Sequence, residues 1–132
     1  MKYDKGSHEK LSLNFSVFEF DCPCKNCKET IVHPDLVAKL QALRDSVATT
    51  VLITSGYRCE SHQKELESLG YETVRNSQHL IGMAADVCVR NRTGKDLEIL
   101  ARKAGFQAVG VAKSWIHVDL RFDKDRRWKY SN

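Results

Sequence analysis

The segment SQHLIGMAADVCV, residues 77–89, restricts this chain more than any other. Met83, Ala85, Val87 and Val89 alternate with Ala84, Asp86 and Cys88, the period-two pattern of a β-strand, and Gly82 breaks the chain just before it. Asp86 therefore stands inside an apolar strand, where an unpaired carboxylate costs several kcal/mol. It requires a partner, and a divalent metal or an arginine would serve. His79 lies in the loop before the strand and converges on Asp86 only if the chain turns at Ile81 and Gly82. Ala84 and Ala85 are small enough to let backbone or metal approach closely.

A second alternating segment, WIHVDLR, places Ile116, Val118 and Leu120 on one face and Trp115, His117, Asp119 and Arg121 on the other. Two imidazoles and one carboxylate with a fourth position left for water make the open coordination of a catalytic zinc site, and His79, Asp86 and His117 supply that set. The competing reading pairs Asp86 with Arg58 or Arg121 and leaves the histidines ordinary.

Around these motifs the pattern is that of one domain, residues 1–132, with residues 1–14 as a polar N-terminal arm. FSVFEF alternates weakly and suggests a strand or packed arm. HPDLVAKLQALRDSV predicts a helix, with His33 at its start, Pro34 in the first turn and Leu36, Val37, Leu40, Leu43 and Val47 as one apolar stripe. TTVLIT reads as a buried strand, residues 60–69 as a polar helix closed by Gly70, and residues 71–78 as a loop. Thr93 and Asp96 predict the start of a third helix that stops at Gly105, and FQAVGVA and WIHVDLR follow as a hairpin around AKS. The expected fold is a small α+β domain, mostly antiparallel sheet with helices packed on it.

With 42% hydrophobic and 29% charged residues, the composition excludes disordered and fibrous classes. No apolar run is long enough to span a bilayer, and no signal peptide is legible, so synthesis in the cytoplasm is expected. A net charge of +4 permits an anionic partner, but no motif supports nucleic acid. Of the five cysteines, Cys22, Cys24 and Cys27 crowd into CPCKNC, which suits either a second, structural zinc with Cys59 or His33 as fourth ligand, or free buried thiols. Cys88 reads as a small core residue.

The residues Ser77, His79, Gly82, Ala84 and Asp86 fill every fixed position of S-x-H-x-x-G-x-A-x-D. With SGYRC upstream and WIHVDLR downstream, the chain resembles the zinc D-Ala-D-Ala carboxypeptidase family over residues 15–121. That family includes phage and bacterial peptidoglycan peptidases and shares its zinc fold with the hedgehog signalling domain. The resemblance implies a zinc ion on His79, Asp86 and His117, and a role for Arg58 in holding a substrate carboxylate or polarised carbonyl. Ser77 either hydrogen-bonds near the site or caps the loop. Tyr57 and Trp115 either line the substrate cleft or pack.

Many members carry an acid three residues before the last zinc histidine; here that position is Ser114, which cannot take a proton from water. Asp119 is the nearest substitute, either as general base or as a group that orients a zinc histidine or pairs with Arg121. The implied activity is zinc-dependent amide hydrolysis in peptidoglycan stem or cross-link peptides, as a D,D-carboxypeptidase or an endopeptidase. The implied setting is a monomeric phage or prophage lysin acting at the cell wall. The alternative is a catalytically inactive zinc-containing wall-binding or phage structural module, which the serine at 114 favours.

Overall fold

The computed structural model describes residues 1–71, 77–122 and 126–130. Among the described residues there are three α-helices, each with a capped start. Helix α1, Pro34–Val47, begins as His33 Nδ1 accepts the Asp35 backbone N–H, and it ends at Ala48 in the left-handed region. Its stripe of Leu36, Val37, Leu40, Leu43 and Val47 is buried. Helix α3, Gly94–Lys103, opens with a reciprocal Thr93–Asp96 capping box and buries Leu97 and Ala101. Helix α2, Glu60–Ser68, is short and polar, with Gln63 as its buried residue and Cys59 Sγ accepting the His62 N–H at its start.

Among the described residues seven strands follow the chain: β1, Lys2–Asp4; β2, Glu29–Ile31; β3, Leu52–Ser55; β4, Ala84–Cys88; β5, Ala108–Val111; β6, Ile116–Asp119; and β7, Arg126–Lys129. β1 and β2 pair as a separate antiparallel ribbon, and the other five form one sheet in the order β3-β4-β6-β5-β7. All neighbours in that sheet are antiparallel except β5 and β7, which run parallel. The fold is α+β, as the alternation predicts, and β5 and β6 pair across residues 112–115 as expected.

Ala85, Val87, Val109, Ile116 and Val118 turn to one side of the sheet, where they join the stripes of α1 and α3 and the ring of Phe106 in the core. The opposite face carries a single register row that crosses all five strands. Ser55 lies opposite Asp86, Asp86 opposite His117, His117 opposite Gly110, and Gly110 opposite Trp128. Strand pairing thus brings polar residues far apart in sequence onto one line.

Two N-terminal expectations are corrected. FSVFEF is neither strand nor arm: Val17–Phe20 form a turn of 3-10 helix, because the Glu19 carboxylate accepts the Ser16 N–H and Phe15, Val17 and Phe20 all turn inward. The polar arm of residues 1–14 contributes β1, tied down by Met1 and Val32 as well as by the ladder with β2. Of the expected loop of residues 71–78, Gln78 already belongs to a 3-10 turn, and residues 72–76 lie outside the described residues. Among the described residues, no helix is long and apolar enough to cross a membrane.

Candidate metal centre

His79, Asp86 and His117 present one nitrogen or oxygen each, all within 4.8 Å of one another. His117 and Asp86 meet because β4 and β6 pair in that register. His79 arrives by the 3-10 turn Gln78–Ile81, and its own backbone N–H donates to Ser77 Oγ. Gly82 ends that turn with φ at 71°, and a Cβ there would collide with the Ile31 carbonyl. Only glycine fits both demands. The Gly82 carbonyl also accepts the His33 N–H, which fixes the turn against the start of α1.

Hydrogen bonding on the far side of each imidazole decides which nitrogen faces the cluster. His79 Nδ1 donates to the Gly56 carbonyl at 2.6 Å, and a neutral imidazole has no second N–H to give. In that neutral form its Nε2 is a bare lone pair. That atom is buried, makes no hydrogen bond, and lies 3.3 Å from Asp86 Oδ1. His117 Nε2 meets Asp119 Oδ2 at 2.8 Å while Nδ1 faces the same Asp86 Oδ1 at 2.9 Å. If Asp119 takes the one proton of a neutral His117, two imidazole lone pairs and a carboxylate point at common space.

Acceptors that converge in this way call for positive charge, which a metal ion supplies between them and which a proton on His117 supplies in its place. Burial works against charge on Asp86, yet the His117 and His79 rings beside it outweigh that and hold its carboxyl well below the usual range. Burial also pulls His117 downward, while Asp119 and Asp86 push it above its ordinary value. Two nitrogens, one of them orphaned and buried, and one carboxylate oxygen are a donor set that fits zinc.

Arg58 leans over the cluster from the loop after β3. Its Nε donates to Ser55 Oγ at 3.0 Å, and its Nη2 lies 3.4 Å from Asp86 Oδ2, the oxygen that the histidines leave open. Of the two arginines weighed for Asp86 in the sequence, Arg58 lies against it beside the imidazoles, and Arg121 pairs with Asp119 instead. The backbone beneath Arg58 is pinned, since Tyr57 N–H donates to Phe20 and Arg58 N–H donates to His79. Gly56 makes this possible, because a Cβ would run into the Phe20 backbone.

Of the two roles open to Asp119, its contacts are those of an orienting group. The side chain is fully buried, one oxygen meets His117 Nε2, and Arg121 grips both oxygens through Nε and Nη2 at 3.0 and 2.8 Å. Burial raises the carboxyl, but His117 and Arg121 together bring it down to about 2. It engages the ring nitrogen that faces away from Asp86.

An open groove of about 950 Å³ runs from Asp86 along the outer strands, lined by Thr54, Cys88, Arg90, Arg92, Ser114 and Trp115 among others. Trp115 therefore does line a cleft, and it also packs on Tyr130 with ring centroids 4.7 Å apart. Tyr57 is half-buried and is held by its backbone bond to Phe20. Cys88, expected in the core, is half-buried and faces the groove, on the Asp86 side of its strand. His33 caps α1 and stands apart from both donor clusters.

Sequence reasoning missed the cover over His117. Trp128 on β7 lies with its ring 5.3 Å from the imidazole, and the Arg121 guanidinium sits 5.4 Å from the same indole. Gly110 permits this, since a Cβ there would overlap the indole. The signal available was the alternation in RRWK, where Arg127 and Lys129 are exposed and Arg126 and Trp128 half-buried.

The family description Peptidase M15 matches residues 13–119, a span that holds the whole donor cluster and stops short of β7. Among solved structures, the L-Ala D-Glu endopeptidase ChiX of Serratia marcescens is similar, with 25% identity and a TM-score of 0.56 over 69% of this chain and 81% of that one. No curated protein matches the chain by sequence.

Proposed function

Because the chain belongs to the Peptidase M15 family, we propose that it hydrolyses an amide bond in the stem or cross-link peptides of bacterial peptidoglycan, with zinc held by His79, Asp86 and His117. The observation that carries this reading is the buried, unbonded Nε2 of His79 aimed at the oxygen that His117 also faces. Zinc bound there supplies Lewis acidity to an amide carbonyl and to water. The likeness to an L-Ala D-Glu endopeptidase favours cleavage within the stem over removal of a terminal D-alanine.

The chain's own residues supply the remainder. Arg58 offers a guanidinium, held by Ser55, to a substrate carboxylate or to the oxygen that gains charge during attack. Arg90 and Arg92 give the groove a cationic wall suited to an acidic peptide, and Trp115 gives it an apolar one. Asp119 acts through His117 as a positioning residue: it fixes the ring and keeps the cluster-facing nitrogen free of a proton. The Trp128 ring shields the same imidazole. We place the activity at the bacterial cell wall as a phage or prophage lysin, the setting that the sequence resemblance implies.

A zinc-bearing wall-binding module without catalysis is the second reading. It is favoured by Ser114, which offers no carboxylate at the position where many relatives carry one, and by the engagement of both Asp119 oxygens. Digestion of purified peptidoglycan by zinc-loaded protein, beside a His117→Ala control, separates the two. Mass analysis is expected to find stems cut after L-alanine with the wild type only. Free D-alanine would instead identify a carboxypeptidase, and no new product from several wall chemistries would leave the binding module.

A further inference from the structure

On the opposite side of the Arg58 loop, four thiols converge. Cys22, Cys24 and Cys27 lie between the 3-10 turn of residues 17–20 and β2, and Cys59 caps the start of α2. Their sulfurs all fall within 4.8 Å of one another, with Cys24 at 3.3 Å from Cys27 and 3.4 Å from Cys59, and Cys22 at 3.8 Å from Cys59. A tetrahedral zinc about 2.3 Å from each of four thiolates sets the sulfurs about 3.8 Å apart. The Cys22–Cys59 spacing of 3.8 Å matches that edge, and the two shorter ones, 3.3 and 3.4 Å, need the Cys24 sulfur to move outward by about half an ångström.

Donors point at three of the four sulfurs. The Cys59 backbone N–H points at Cys22 Sγ at 3.5 Å, and the His62 N–H at Cys59 Sγ at 3.4 Å. The Lys5 ammonium lies 3.3 Å from Cys27 Sγ and donates to the Cys24 carbonyl. Four thiolates around a dication leave two negative charges, which a lysine and oriented N–H groups offset.

We propose that Cys22, Cys24, Cys27 and Cys59 bind a second zinc ion in a closed four-sulfur site. With no position left for water or substrate, this ion is structural. Binding removes the thiol protons to solvent and involves no change of oxidation state. Its place in the fold gives it a task. Cys59 follows Arg58 directly, and Cys22 follows the Phe20 segment, which holds Tyr57 and abuts Gly56. The ion thus clamps the loop that supplies Arg58 and the carbonyl that orients His79.

The His117→Ala chain, loaded with zinc under reducing conditions, tests the site apart from any peptidase activity. Metal analysis is expected to find one equivalent retained, against two in the wild type, and X-ray absorption a shell of four sulfurs. Under native conditions only Cys88 of the five cysteines is expected to react with a thiol reagent, and all five after chelation. A Cys24→Ser, Cys27→Ser variant should lose this equivalent and keep the other; if it fails to fold, the measurements on His117→Ala stand alone. A metal-free His117→Ala chain, a shell lacking four sulfurs, or a Cys22–Cys59 or Cys24–Cys27 disulfide in the reduced preparation would overturn the proposal. Failure here leaves the peptidase reading untouched, because the digestion assay does not depend on it.

Discussion

At the scale of single residues, the cluster is governed by where each imidazole places its one proton. The Gly56 carbonyl takes the Nδ1 proton of His79, and the Asp119 carboxylate is placed to take that of a neutral His117, which turns a lone pair of each neutral ring toward Asp86. Asp119→Asn keeps the shape and the burial, but its amide can offer either a donor or a weaker acceptor to His117 Nε2. Removing an outer partner of a metal-bound histidine typically weakens binding about 10–100-fold. Competition titration with a zinc chelator is expected to show that loss with the thermal transition retained, while the four-sulfur site holds its metal unchanged. Undiminished affinity would mean that Asp119 does not orient the ring. Its role was half legible beforehand: strand alternation put Asp119 and His117 on one face, but only the Arg121 fork shows both carboxylate oxygens engaged.

At the scale of elements, the sheet register does the assembling. Period-two alternation in AADVC and IHVD identifies which residues share a face, and it was readable from either segment alone. Which strands are neighbours was not, because pairing joins residues some thirty positions apart and leaves no local mark. β7 escaped for the same reason: it joins β5 in parallel, with no turn signal to announce it. The 3-10 turn at residues 17–20 was misread because Phe15, Val17 and Glu19 mimic alternation, while Phe20 breaks it by turning inward. Gly110 links the fifth strand to the site. Gly110→Ala should force the Trp128 indole off His117 and loosen β7, at about 1–3 kcal/mol for the steric conflict. Denaturant unfolding measures that loss, and Trp128 fluorescence should shift toward the solvent-exposed value in the native state. An unchanged transition would show that β7 is not seated on Gly110.

At the scale of the whole molecule, the protein divides its sheet between two tasks. One face is an ordinary core, with Leu40, Leu43 and Leu97 fully buried against the strands, and the other is a line of polar groups that stays in place because the first face is packed. Leu97→Ala should cost about 2–5 kcal/mol, as large-to-small changes in packed cores do, and calorimetry should show it without loss of zinc at temperatures where the chain remains folded. The core was legible in the helix stripes and strand alternation, since burial follows period. The groove and the cysteine cluster were not fully so, because they arise where loops meet, and loop geometry leaves little pattern in sequence. The central claim is that His79, Asp86 and His117 hold zinc, and anomalous X-ray scattering from zinc-loaded crystals tests it most directly. The account predicts a peak at the zinc edge between His79 Nε2, His117 Nδ1 and Asp86 Oδ1. Zinc-loaded crystals with no peak there, and with Arg58 alone neutralising Asp86, would contradict it.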